Sequence, residues 1–70
     1  MSSAYRDITL GLAERLRAAR DSAVLSQREL AARFGVSERA LQGWEAGVLP
    51  QPRHRRMVLA FIAEHEEKAA

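Results

Sequence analysis

The chain has 70 residues, of which 47% are hydrophobic and 29% are charged, with a formal net charge of +2 and no cysteine. This length allows one domain with a small core, and the absence of cysteine excludes disulfides and thiolate metal sites. The longest apolar run, Met57 to Ala63, is too short to span a membrane, and the N-terminus lacks a signal pattern, so we expect a cytoplasmic protein with no membrane partner.

Positive charge is concentrated in the middle of the chain. From Arg15 to Arg56 there are nine arginines against four acidic residues, which leaves +5, whereas residues 64–67 are acidic. Arginine suits phosphate and guanine because its planar fork donates to two acceptors at once. The distribution is compatible with nucleic-acid binding, although an ordinary solvated surface has a similar composition.

The first predicted helix runs from about Ile8 to Asp21. We expect residues 1–6 to be a flexible terminus. The alternative is an arm that contacts DNA through Arg6. The helix is predicted from an apolar stripe with spacings of four, four and three residues, which consists of Ile8, Leu12, Leu16 and Ala19.

Two short helices follow, and their end signals predict them. Ser26 and Glu29 have the spacing of a capping box, and Gly35 suits the left-handed end of the first of these helices. Ser37 is a plain N-cap for the second, which we expect to span residues 38–46. Two helices joined by a short turn that contains glycine form the helix-turn-helix of DNA-binding proteins.

Apolar residues at helical spacing predict which faces of these helices point inward. We interpret Trp44 as a core residue and not as a side chain that stacks on bases, because large apolar residues at this spacing are normally buried. The predicted inward-facing residues are Leu30, Ala31, Phe34, Leu41 and Trp44.

The last predicted helix runs from about Arg53 to Lys68, with Pro52 suited to its first position. Its core face is predicted to hold Val58, Phe61, Ile62 and His65. The helix is apolar nearly all round, and such helices are normally buried on all sides. We therefore expect part of its surface to contact a second copy. The residues predicted at that contact are Val48, Leu49, Met57, Leu59 and Ala60.

The string SQRELAARFGVS at residues 26–37, followed by WEAG at residues 44–47, resembles the phage-repressor helix-turn-helix family of Cro or XRE type. The resemblance extends from about Leu12 to Ile62. It implies an all-α, compact, lambda-repressor-like bundle of four short helices, with five as the alternative. It also implies one domain over residues 1–70, a helix-turn-helix at 26–46, and double-stranded DNA as the partner.

The candidate phosphate contacts lie at helix N-termini, where backbone N–H groups favour anions. The resemblance implies that Gln27 holds a phosphate at the start of its helix and that Arg53 approaches the DNA backbone. Arg28 is near enough to assist, and the N–H groups near Ser37 add further donors. The alternative for Gln27 is an ordinary residue at a helix start.

The candidate base readers lie on the outward face of the helix at residues 38–46. Arg39 suits guanine, Gln42 suits adenine, and Glu38 is able to accept from cytosine. Gly43 stands where the family usually has a long polar reader. The alternative for Arg39 is a phosphate clamp that reads no sequence.

The resemblance also implies an internal ion pair between Arg20 and Glu45. This pair would lock the first helix to the third. The alternative is an exposed Arg20 with no fixed partner, since surface pairs contribute little.

Enzymatic functions have little support in the sequence. There is no phosphate-binding glycine loop, nucleophile elbow or paired acid and base. His54 and His65 are eleven residues apart and lack a third ligand nearby, so we expect no metal. We predict no catalytic activity and no cofactor.

We therefore predict a sequence-specific DNA-binding protein, a transcriptional regulator of the repressor kind that inserts the helix at 38–46 into the major groove as a homodimer. The resemblance implies that it is bacterial or phage-encoded. One alternative is a protein-interaction module, such as the antitoxin of a toxin–antitoxin pair. Another is a phage excision or architectural factor.

Overall fold

The computed structural model describes the backbone of residues 2–69 and the side chains of residues 11–66. The helices are α1 (Ser2–Ser22), α2 (Gln27–Phe34), α3 (Glu38–Glu45) and α4 (Pro52–Ala69). Over residues 2–69 these four helices are the only regular elements, and no strand is present. The predicted all-α bundle with a helix-turn-helix is confirmed.

The predicted bounds of three helices need correction. α1 begins at Ser2 and not near Ile8, because no proline or glycine before Ile8 interrupts the helical backbone. The flexibility expected for residues 1–6 stays a prediction, and Met1 and the side chain of Arg6 lie outside the described residues. α3 ends one residue before the predicted position, with Ala46 as its C-cap. α4 is one residue longer at each end than predicted.

The N-caps of α2 and α3 form as predicted. The Ser26 hydroxyl accepts from the Glu29 backbone N–H at 3.0 Å, and the Ser26 N–H donates to the Glu29 carboxylate at 2.8 Å. The bond from the Ser26 backbone lowers the pKa of Glu29 below its usual value. The Ser37 hydroxyl accepts from the Ala40 N–H at 3.0 Å. Both helix starts of the helix-turn-helix are therefore fixed by short side chains.

The first three helices end in the same backbone arrangement, a Schellman motif. After each helix one residue has a positive φ, and its N–H and the next N–H return to carbonyls of the last turn. The residues with positive φ are Val24, Gly35 and Gly47, and each is followed by an apolar residue, namely Leu25, Val36 and Val48. Gly35 and Gly47 tolerate this conformation because they lack a Cβ. The β-branched Val24 adopts it with backbone strain.

The core is built from one face of every helix. α1 packs against α3 and α4, and α2 packs against α3. Phe34 meets Phe61 edge-on, with ring centroids 5.6 Å apart, and lies 6.3 Å from Trp44. Trp44 is a core residue, as predicted. The buried cluster consists of Leu16, Ala19, Leu30, Ala31, Leu41, Trp44, Val58, Phe61 and Ile62.

Within the single chain, α4 is buried on one face only, and the expected contact of its other side with a second copy stays a prediction. Val58 and Ile62 are fully buried, and His65 continues this face with its Nδ1 atom 2.9 Å from the Phe61 carbonyl oxygen. Leu59 is 42% exposed, and Ala60 is exposed. The exposed side of α4 therefore carries Leu59 and Ala60, which this chain alone does not cover, together with charged residues such as Arg56 and Glu64.

Among the described residues, no helix is both long enough and apolar enough to cross a membrane.

Candidate nucleic-acid interface

The outward face of α3 carries polar side chains in a row. Glu38, Arg39 and Gln42 are exposed, while Leu41 and Trp44 on the opposite face are buried. Arg39 and Gln42 are three residues apart, so their side chains lie next to each other on the helix surface. α3 thus presents two long side chains with hydrogen-bonding groups while its other face is held in the core.

The loop that follows α3 lies against the helix at Gly43. Val48 donates its backbone N–H to the Gly43 carbonyl at 2.9 Å. A Cβ added at Gly43 would lie 3.8 Å from Val48 Cγ2, which is ordinary van der Waals contact. Gly43 therefore contributes no reader of its own, and the side chain of Val48, which is 61% exposed, lies beside its position.

The carboxylate of Glu45, at the end of α3, is bound to the two helices that precede it. Arg20 donates from Nε to Oε2 at 2.8 Å and from Nη2 to Oε1 at 3.2 Å. Gln27 donates from Nε2 to Oε1 at 3.0 Å. The side chain of Glu45 is only 4% exposed and that of Arg20 17%. α1, α2 and α3 are therefore joined at one buried carboxylate.

Arg20 also anchors the end of its own helix. Its Nη1 donates to the Leu25 carbonyl at 3.0 Å, and its own carbonyl accepts the Leu25 N–H at 3.2 Å. The hydrogen bond to Glu45 is the main cause that raises the pKa of the Arg20 guanidinium above its usual value. The guanidinium thus closes the loop before α2 while it neutralises the charge of Glu45.

The other predicted phosphate contacts lie at the starts of helices. Arg28 is exposed in the first turn of α2, and Ser37 is exposed at the N-cap of α3. Arg53 is exposed in the first turn of α4. Of the predicted phosphate contacts, only Gln27 is hydrogen-bonded to another predicted site residue, namely Glu45 of the predicted ion pair. Arg28, Arg39 and Arg53 lie on three different helices.

An open groove of about 470 Å³ separates α3 from the start of α4. His54 lies against Trp44 in this groove, with ring centroids 5.5 Å apart. Arg55 fixes the loop below it by donating from Nη2 to the Pro50 carbonyl at 3.1 Å. The groove is lined by Val36, Ala40, Trp44, Val48, Leu49, Gln51, Arg53 and His54.

The residues predicted for a contact between two copies fall into two places. Val48 and Leu49 line the groove, and Val48 lies beside Gly43 of α3. Leu59 and Ala60 lie on the exposed side of α4, and Met57 is half-buried. A contact that uses all five would have to extend from the loop after α3 to the middle of α4.

Sequence reasoning missed the ion pair that joins α1 to α4 and one hydrogen bond within the site. Arg15 of α1 donates from Nε to Glu66 of α4 at 2.8 Å and from Nη2 at 3.1 Å. This bond raises the pKa of Arg15 and lowers that of Glu66. The second is the hydrogen bond from Gln27 to Glu45. No sequence signal marks either contact, because the partners are 51 and 18 residues apart.

In the part of the chain that the structure describes, no group of three or more His, Asp or Glu side chains is placed to hold a metal ion.

Two capped helices, a turn at Gly35 and an exposed polar face on α3 define a helix-turn-helix domain. The helix-turn-helix family model matches residues 16–54, which is more than half of the chain. The chain therefore belongs to the helix-turn-helix family of Cro/C1 type. This is a family of DNA-binding transcription regulators, whose domains are generally not enzymes. Neither a search of curated proteins nor a search of solved structures found a match.

Proposed function

We propose that this protein is a sequence-specific regulator, of the repressor kind, which binds double-stranded DNA by placing α3 in the major groove. The observation that carries the proposal is the exposed pair of Arg39 and Gln42 on a helix whose other face is buried. α3 is about 12 Å long at 1.5 Å per residue, and the major groove, about 12 Å wide, admits such a helix.

The roles of the two readers follow from their hydrogen-bonding groups. The guanidinium of Arg39 donates two parallel bonds, which match the O6 and N7 acceptors of guanine. The carboxamide of Gln42 carries a donor and an acceptor, which match N7 and N6 of adenine. Glu38, at the N-terminal end of the same face, has only acceptors, and the cytosine N4 amino group is the base donor that suits it.

The phosphate contacts would fix the orientation of α3. Gln27 and Arg28 start α2, Ser37 is the N-cap of α3, and Arg53 lies in the first turn of α4. Arginine and backbone N–H groups at helix starts favour phosphate because both present donors to an anion. Contacts of this type set the register on the duplex and carry no sequence information.

A homodimer is the second part of the proposal. One short helix offers two or three readers, and two copies on a near-palindromic site double that number. The exposed residues Leu59 and Ala60 of α4 support such a contact because they are not covered within one chain. Half-sites would then lie about one helical turn apart, ~34 Å from centre to centre.

Selection of bound sequences from a random DNA pool tests this function. We expect a near-palindromic consensus with a guanine in each half-site. Dimethyl sulfate methylates guanine N7 in the major groove, so bound protein should protect that guanine, and Arg39→Ala should remove the protection. A pool that yields no consensus, or guanines that stay fully reactive in the complex, would contradict the proposal.

A further inference from the structure

The carboxylate of Glu45 connects the interior of the domain to a residue of the DNA-facing surface. It is buried, with the whole residue 6% exposed, and it accepts from Arg20 at both oxygens. Its Oε1 atom also accepts from Nε2 of Gln27, which is half-buried at the first position of α2. The buried carboxylate of Glu45 is therefore in direct contact with Gln27, the residue proposed to bind a phosphate.

The chemistry of the carboxylate determines which way the Gln27 amide faces. An ionised carboxylate only accepts hydrogen bonds, whereas a carboxamide has a donor end and an acceptor end. The NH₂ end of Gln27 must therefore face Glu45. One of its two N–H bonds is used there, and the other remains to donate elsewhere. Without Glu45, nothing in this contact would distinguish the two ends of the amide.

Arg20 makes this arrangement compatible with DNA. A carboxylate next to a phosphate would repel it, because both are negative. The guanidinium of Arg20 lies 2.8 Å from Glu45 and balances its charge. The group of Arg20, Glu45 and Gln27 therefore offers a phosphate a donor without a net negative charge behind it.

We infer that Glu45 is a positioning residue for DNA binding, which holds the Gln27 carboxamide so that its second Nε2–H donates to a phosphate oxygen. The inference rests on the proposed function. A donor that is already oriented loses less side-chain freedom when the phosphate binds. Glu45 thus contributes to affinity through Gln27 and does not itself contact the DNA.

A double-mutant cycle on random-sequence DNA tests the inference, since a phosphate contact is independent of sequence. Gln27→Ala should weaken binding about tenfold or more, as expected for a hydrogen bond to a charged group. Glu45→Gln should weaken binding several-fold in the wild-type background and should have no further effect in the Gln27→Ala background. The exposed Glu14→Gln removes the same charge from α1 and serves as the control.

A structural role alone predicts a different pattern. If Glu45 only stabilises the fold, Glu45→Gln lowers the melting temperature, and its effect on the DNA affinity of the folded protein is the same in both backgrounds. Each titration is made at a temperature where circular dichroism finds that variant fully folded. An undiminished effect of Glu45→Gln in the Gln27→Ala background, or no effect of Gln27→Ala itself, overturns the positioning role.

The side-chain amide protons of Gln27 provide a second test, which is made on the wild-type protein and therefore does not depend on whether a variant folds. In wild-type protein without DNA, one Nε2 proton should have a separate NMR signal because it is bound to a carboxylate. Addition of DNA should shift the other proton. If DNA binds and neither proton shifts, the positioning role is wrong while the proposed function stands. If wild type binds no DNA at any salt concentration, the proposed function fails, and this inference fails with it.

Discussion

Arg20 makes three side-chain hydrogen bonds, and they connect α1, the following loop and α3. Arg20→Ala would leave Glu45 buried with only the Gln27 amide as a partner. Removal of one member of a buried pair typically costs about 3–5 kcal/mol. We expect a loss near 3 kcal/mol, because Arg20 is partly exposed and the Gln27 bond remains. Urea unfolding followed by circular dichroism measures it.

The matched control is Arg17→Ala, which removes the same side chain from an exposed position of α1. Exposed substitutions usually change stability by no more than about 0.5 kcal/mol. If both variants lose equally little free energy of unfolding, the bond between Arg20 and Glu45 does not stabilise the fold, because water replaces it when Arg20 is removed.

Val24 is the one residue with an unfavourable backbone conformation among the non-glycine residues described. Its φ is +57° and it is 87% exposed, so packing does not explain its presence. A left-handed conformation costs an L-residue roughly 1–2 kcal/mol. Val24→Gly should therefore raise stability by about 1 kcal/mol, after the greater freedom of glycine in the unfolded chain is allowed for.

Thermal unfolding measures this gain, since 1 kcal/mol corresponds to about 4–8 °C in a domain of this size. Val24→Ala is the control, because it retains the Cβ and removes only the branching. The melting temperature should be highest for Val24→Gly, lower for Val24→Ala and lowest for the wild type. A glycine variant that melts below wild type would show that Val24 is not strained.

At the scale of the elements, sequence reasoning succeeded where the signal is local. The capping box at Ser26 and Glu29 and the turn at Gly35 could be predicted because each depends on residues a few positions apart. The end of α1 has the same geometry as the turn at Gly35, yet Val24 gave no signal, since glycine is the residue that marks such ends. The start of α1 was missed because no cap or break marks it.

Contacts between elements were harder to predict. The contact between Arg20 and Glu45 could be anticipated only from the family resemblance, because its partners are 25 residues apart. Neither the residue spacing nor the family resemblance indicated the contact of Gln27 with the same carboxylate. The pair of Arg15 and Glu66 depends on how α1 packs against α4, which neither composition nor periodicity determines.

α3 contains a glycine at a position where alanine would fit. A Cβ at Gly43 would make only ordinary contacts with Val48, and alanine favours a helix over glycine by up to about 1 kcal/mol. Gly43→Ala should raise the melting temperature. Gly11→Ala in α1 should raise it similarly, because a Cβ there would meet nothing within 4 Å.

The two variants differ in what they do to DNA binding. Gly11 lies far along the chain from the proposed readers, so Gly11→Ala should leave affinity unchanged. If α3 approaches the bases closely at Gly43, Gly43→Ala weakens binding although the protein is more stable. Equal affinities for both variants and wild type would mean that Gly43 does not face the bases closely.

For the whole molecule, the uncovered side of α4 is the proposed contact between two copies. Leu59→Glu places a charge on this side and should abolish cooperative DNA binding while the fold is retained, because Leu59 is already 42% exposed. Sedimentation and footprinting measure the effect. Ala18→Glu puts the same charge on an exposed position of α1 and serves as the control. Protection of one asymmetric half-site by both wild type and Leu59→Glu would exclude the dimer.

The central claim is that α3 reads bases through Arg39, and the ratio of affinities for selected and scrambled DNA tests it most directly. For wild type this ratio should reach about 10³ or more. Arg39→Ala should lose roughly 1–3 kcal/mol of this discrimination between the two DNAs. Arg28→Ala should instead weaken binding to both DNAs alike and lower the salt dependence of binding. If Arg39→Ala weakens binding to both DNAs equally, Arg39 contacts only phosphate and the account of recognition is wrong.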